Sequence, residues 1–159
     1  MGSNTHLHSY GILLFRRSAG FCQVMLVHPG GPFWAGKDAG AWSIPKGLPE
    51  DDEPGLETAR REFSEETGFE VEGPFIELGT LRMPSGKIVH AWAVEGDLDV
   101  NRVHSNTFTM EWPRHSGTYR EYPEIDAGGW FSIMEAREKI HRGQTGFLDR
   151  LIQQLEEDG

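Results

Sequence analysis

Two apolar runs open the chain. Residues 9–15 and 21–28 are rich in Ile, Leu, Phe, Val and Met and are separated by a short polar turn containing Gly20, a spacing that predicts a β-hairpin. Pro29-Gly30-Gly31-Pro32 breaks the second strand, and a loop follows to about residue 40. Residues 41–44 predict a short strand ending at Pro45, and 46–54 a loop of Gly, Pro and acids. A helix is expected over 55–67. Pro54 suits its first turn, Gly68 its stop, and Leu56, Ala59 and Phe63 form a narrow apolar stripe. Strands are predicted over 69–82 and 87–95 around a Pro84-Ser85-Gly86 turn, and over 106–112. A polar loop over 113–126, a short strand over 129–131 and helices over 133–141 and 147–155 complete the pattern. Strands on a mixed sheet flanked by helices predict an α/β (α+β) sandwich. One domain over 1–159 is expected, with its core at about 8–157.

Composition narrows the function. The chain has 25 acids against 15 bases, a net charge of −10, which disfavours a basic groove for long nucleic acid. A phosphate-rich ligand remains compatible if cations bridge the two negative partners. No apolar run has a membrane-spanning length, and residues 1–10 are polar with no signal-peptide core. Gly2 is not followed by Ser or Thr at position 6, where His6 stands, so a myristoylation signal is discounted. The single Cys22 excludes an internal disulfide and fits a cytoplasmic protein, with a buried, inert thiol expected. The seven histidines are scattered, with no zinc-ligand spacing.

The informative acids lie on the predicted helix. Glu62, Glu65 and Glu66 stand at i, i+3 and i+4, so their carboxylates share one side, beside the apolar stripe. Like charges so spaced destabilise a helix, and near its C-terminus the helix dipole disfavours them further. Mg²⁺, a hard ion taking carboxylate, water and phosphate oxygens, would compensate them. A solvated acidic face is the plain alternative.

The string from Gly47 to Phe69 resembles the Nudix box, G-x5-E-x7-R-E-U-x-E-E-x-G-U, where U is a bulky apolar residue. Gly47, Glu53, Arg61, Glu62, Glu65, Glu66 and Gly68 match, with Phe63 and Phe69 at the apolar positions. The resemblance implies the Nudix fold, a mixed sheet flanked by helices, and Mg²⁺-dependent hydrolysis of a phosphoanhydride bond, with Mn²⁺ as a substitute ion. It implies Glu65 and Glu66 as principal metal ligands and Glu62 as a further ligand or the general base. A backbone carbonyl of Lys46 or Gly47 would complete the shell, and Glu53 with Arg61 would brace the loop on the helix. A distal acid is expected among Glu121, Glu124 and Asp126, with Glu124 favoured.

The substrate is less constrained. Trp42-Ser43-Ile44-Pro45-Lys46-Gly47 gives the pattern W-x-x-P-K-G, which resembles the approach to the box in hydrolases of diadenosine polyphosphates. That comparison implies Lys46 at a phosphate and Trp42 in the site wall. Tyr119 and Tyr122 are candidates for base stacking. Phe33-Trp34-Ala35-Gly36-Lys37 and Arg114-His115 to Tyr119-Arg120 offer rings and cations, or plain loop anchors. Trp92, in an alternating strand, is expected in core or sheet-face packing. The expected activity is a pyrophosphohydrolase acting on a small nucleotide-type substrate, a dinucleoside polyphosphate such as diadenosine tetraphosphate first. Nucleoside triphosphates, nucleotide sugars, damaged nucleotides and RNA 5′ pyrophosphate are alternatives, as is a nucleotide-sensing module without turnover.

Overall fold

The computed structural model describes residues 7–158, so Gly2 and His6 lie outside the described residues. Five strands form the main path of a mixed sheet. In chain order they are β1 (His8–Ser18), β2 (Phe21–Pro29), β4 (Ile76–Arg82), β5 (Ile88–Glu95) and β8 (Ile125–Ser132). Their spatial order is β4-β5-β1-β2-β8, and the two-residue β3 (Lys46–Gly47) pairs with β1. β1 and β5 run parallel, and the other pairs are antiparallel. β6 (Thr107–Glu111) and β7 (Tyr119–Pro123) form a separate two-stranded ribbon.

The sheet is covered on both faces, which is why β1 reads as a nearly continuous apolar run. Ile12 and Leu14 point to helix α1 (Gly55–Thr67) and pack with Ala59, Phe63 and Val94. Leu13 and Phe15 point the other way, to the cluster holding Ala136 of α2 (Ile133–Lys139) and Phe147, Leu148 and Leu151 of α3 (Thr145–Asp158). β2 divides likewise, Met25 and Val27 against Val24 and Leu26. A mixed sheet between α1 and the α2–α3 pair is the expected sandwich.

Three expected elements are corrected. Residues 41–44 form no strand. Trp42 and Ser43 make isolated bridges to Ile140 and Val27, and the pairing with β1 falls on Lys46 and Gly47. The strand expected from residue 69 begins at Ile76. The loop expected over 113–126 contains β7 and the start of β8, because an exposed ribbon strand needs no apolar alternation and YREYP has none. Cys22 is half-buried rather than enclosed, and burial still raises its thiol pKa.

Candidate active site

Sequence and packing together fix α1. Pro54 precedes it in an extended conformation, and Gly68 ends it in the left-handed region (φ 81°), donating its N–H to Ser64. Phe63, Ala59 and Thr58 are buried against the sheet, so the neighbouring Glu62 and Glu66 are carried beneath β3, which pairs with the central strand β1. β3 approaches β1 closely because position 11 is glycine. A Cβ there would sit 2.6 Å from the Pro45 carbonyl. Gly47 is equally constrained, since a Cβ on it would lie 1.6 Å from Glu62 Oε2. Its backbone therefore lies directly against the Glu62 carboxylate.

Arg61 organises the preceding loop. Its Nε and Nη2 donate to the two oxygens of Glu53 at 2.9 Å each, Nη2 also to the Leu48 carbonyl at 2.9 Å, and Nη1 to Glu65 at 3.0 Å. Thr58 Oγ1 donates to the same Glu53 at 2.7 Å. These bonds, Arg61 first and Thr58 second, hold the Glu53 pKa down at about 2.

The opposite shift marks the other acids. Burial, then the neighbouring Glu65, pushes Glu62 up to about 7. Burial, then the charge of Glu62, pushes Glu66 up to about 8, against the pull of Lys46 and a hydrogen bond from the Lys46 backbone. Lys46 itself is lowered by burial, with Glu66 opposing. A cleft of about 190 Å³ brings Lys46, Glu66 and Glu124 together over Val27, Pro29, Ser43, Ile44 and Ile125. Glu124 follows β7 directly, and its backbone is clamped on both sides: its N–H donates to Asn106 O at 2.9 Å, and its carbonyl accepts from Gly30 at 2.8 Å. Of the three candidates for a distal acid, Glu124 is the one that lies in this cleft with Glu66. Asp126 is engaged by His28 instead, and Glu121 is exposed on the ribbon opposite Thr109.

The aromatic candidates are placed differently. Trp42 donates Nε1–H to Asp38 at 2.9 Å and packs edge-on against His28 and Phe131, at 5.2 and 5.0 Å between centroids. Tyr122 lies 6.0 Å from Phe108, and Tyr119 is exposed on the ribbon opposite Glu111. None of the three lines the cleft of Lys46 and Glu66. Phe33 and Trp34 sit under the Lys37 ammonium, 3.6 and 5.5 Å from their centroids. Trp92 packs partly buried on the sheet face towards α1.

One organiser escaped the sequence reading. His28, buried, places Nδ1 2.8 Å from the Asp126 carboxylate and Nε2 2.6 Å from the Lys37 carbonyl, tying the loop after β2 to β8 beside Glu124. Its partner stands 98 residues away, and no local pattern signals such a contact.

The donor set fits a hard divalent ion. Carboxylate and backbone oxygens lie at and beside the cleft with the Lys46 ammonium, the half-buried Glu62 and Glu66 carboxyls are held back from ionising by burial and by each other, and the Gly47 cradle leaves backbone open beside Glu62. Among the described residues no three His, Cys, Asp or Glu groups already converge on one point, so an ion would draw these side chains inward.

Comparison with known proteins agrees with this architecture. The fold resembles the Ap4A hydrolase of C. elegans, solved as a binary complex, at 20% identity and TM-score 0.66, covering 94% of this chain and 98% of that one. It also resembles the NUDIX domain of Shewanella oneidensis NrtR complexed with ADP ribose, at 15% identity and TM-score 0.64, covering 96% and 90%. The MutT protein of Methanosarcina mazei Go1 matches at 19% identity and TM-score 0.60, covering 97% and 98%. A search of curated protein sequences finds no match. The family model described as NUDIX domain matches residues 5–151, and with the box residues gathered on α1 and β3 the chain belongs to the NUDIX family.

Proposed function

We propose that this Nudix domain, with its core over 8–157, is a Mg²⁺-dependent pyrophosphohydrolase of a small nucleotide, a dinucleoside polyphosphate foremost, acting in the cytoplasm. Family membership supports a hydrolase of pyrophosphate bonds. The observation that carries the finer reading is the meeting of Lys46, Glu66 and Glu124 in one cleft beside Glu62 and Gly47. The substrate reading draws on W-x-x-P-K-G before the box and on the likeness to an Ap4A hydrolase.

Glu65, Glu66, Glu124 and a backbone carbonyl at Lys46 or Gly47 would hold the ion, with Glu62 as a further ligand or as the base. When bound, the ion neutralises phosphate charge and acidifies the attacking water. Glu62, less acidic than an ordinary carboxyl, is suited to take that water's proton near neutral pH. The Lys46 ammonium, half-buried at the cleft, balances charge on a phosphate oxygen as the anhydride bond breaks. Arg61 and Glu53 hold the loop so that the Gly47 backbone stays against Glu62. Trp42, Tyr119 and Tyr122 act at most from outside the cleft, on substrate parts that extend beyond it.

The test incubates the protein with Mg²⁺ and a panel of diadenosine polyphosphates, nucleoside triphosphates, nucleotide sugars and 5′-triphosphorylated RNA, with Glu66→Gln as control. Turnover of a diadenosine polyphosphate, lost in the variant, is expected. Preferential turnover of another class would overturn the substrate reading, and no turnover of any compound would overturn the enzyme.

A further inference from the structure

The acids assigned above to the ion come from two distant stretches of chain, Glu65 and Glu66 from α1 and Glu124 from the junction of β7 and β8. Residues 104–106 lie between them. On one side they close the end of α1, where the last carbonyls of a helix lack partners within it. His104 N–H donates to Thr67 O at 3.1 Å, and Asn106 N–H to Glu65 O at 3.2 Å. The packing is close, since a Cβ on Gly68 would lie 2.3 Å from the His104 ring. On the other side Asn106 O accepts the Glu124 N–H at 2.9 Å. A single residue thus ties the Glu65 carbonyl to the Glu124 N–H.

Ser105 supplies a side chain to this bridge. Its Oγ accepts the Ile125 N–H at 2.9 Å and donates to Asn106 O at 2.8 Å, the carbonyl that also receives Glu124, with Ile125 O more distant at 3.3 Å. The sheet explains the need for it. The β2–β8 register shifts between His28 and Pro29, and such an irregularity interrupts the ladder and re-aims the residues beside it. Ile125 is buried, so its N–H needs a partner within the protein, and Ser105 is that partner. The N–H groups of 124 and 125 are both fixed in this way. The Glu124 side chain stays exposed and, among the described residues, makes no hydrogen bond or ion pair. Its charge still reaches Glu62 and Glu66, raising the pKa of each.

We propose that Ser105 is a positioning residue for the distal acid, its hydroxyl setting the Glu124 backbone against the end of α1 so that the carboxylate reaches the ion. The assignment rests on the metal reading above and adds to it a residue that never touches the metal. Without the hydroxyl, the buried Ile125 N–H must find another acceptor, and Glu124 moves with it.

The experiment titrates the full chain with Mn²⁺ alone and reads the free ion by electron paramagnetic resonance, so neither substrate nor turnover is involved. Ser105→Ala should weaken Mn²⁺ binding by about tenfold, and Glu124→Gln by at least as much. In the double variant Ser105→Ala should add nothing to Glu124→Gln, because the group it positions is gone. Ser105→Thr keeps the hydroxyl and should bind like the unaltered protein. Ser105→Cys, close to serine in size but a poor hydrogen-bonding group, should repeat the loss and keeps the test open if Ser105→Ala fails to fold. Unchanged binding in Ser105→Ala or Ser105→Cys, losses that multiply in the double variant, or a Glu124→Gln that binds as before would each overturn the assignment. A protein that shows the expected pattern yet hydrolyses nothing loses the hydrolase reading and keeps Ser105. An active protein whose two losses multiply loses Ser105 alone.

Discussion

Arg61 holds both carboxylate oxygens of Glu53 at 2.9 Å across the box loop, and that pair sets an acid limit for the loop. The Glu53 pKa falls from 4.5 to about 2 on folding, so its stabilisation is fully present above about pH 4.5 and is lost as the pH falls through 2. The thermal midpoint of Glu53→Gln should lie several degrees below that of the unaltered protein at pH 7, and the gap should shrink below pH 4.5 and close as the pH falls through about 2. A gap independent of pH, read by scanning calorimetry, would sink this account.

The box carboxyls behave in the opposite sense. Glu62 and Glu66 rise from 4.5 to about 7 and 8, so without metal the protein loses stability as the pH rises from about 4.5 through 8. A divalent ion reverses this by favouring the ionised forms. Mg²⁺ at about a hundred times its Kd should raise the midpoint by roughly 5–10 °C at pH 8 and far less at pH 5. Glu66→Gln should abolish most of the Mg²⁺ effect.

Gly47 has no room for a side chain. Gly47→Ala would drive a methyl group into the Glu62 carboxylate, displacing the group proposed as base or ligand. A loss of roughly 100-fold in kcat is expected, since displacements of about 1 Å cost that much. The thermal midpoint should move by only a few degrees. Unimpaired turnover would show that Glu62 can work from another position.

Phe63 is fully buried beneath α1. Phe63→Ala should cost about 3–5 kcal/mol in urea unfolding. Activity per folded molecule should fall too, because the same helix carries Glu62 and Glu66.

Where local chemistry decides the structure, the sequence was sufficient. Pro54 and Gly68 bracket α1, which spans Gly55–Thr67 as expected, and the same helix carries Glu66 into the cleft. Where long-range contacts decide it, local pattern was blind. β7 is held by pairing with β6 rather than by an apolar face of its own, so it read as loop. The His28–Asp126 tie and the His8–His90 bond join residues 98 and 82 positions apart. Tyr119 and Tyr122 drew notice as aromatics in a supposed loop, whereas they stand on the β6–β7 ribbon outside the cleft of Lys46 and Glu66.

The β6–β7 ribbon divides into a fixed base and a free tip. At the base, Asn106 accepts from Glu124 and Ser105 Oγ from Ile125. At the tip, Glu111 accepts from His115 and Gly117, closing the turn on itself, and residues 113–120 are all exposed. The turn is thus a natural attachment point, where a longer loop, a fluorophore or a tethering peptide can be grafted while the segment delivering Glu124 keeps its anchorage.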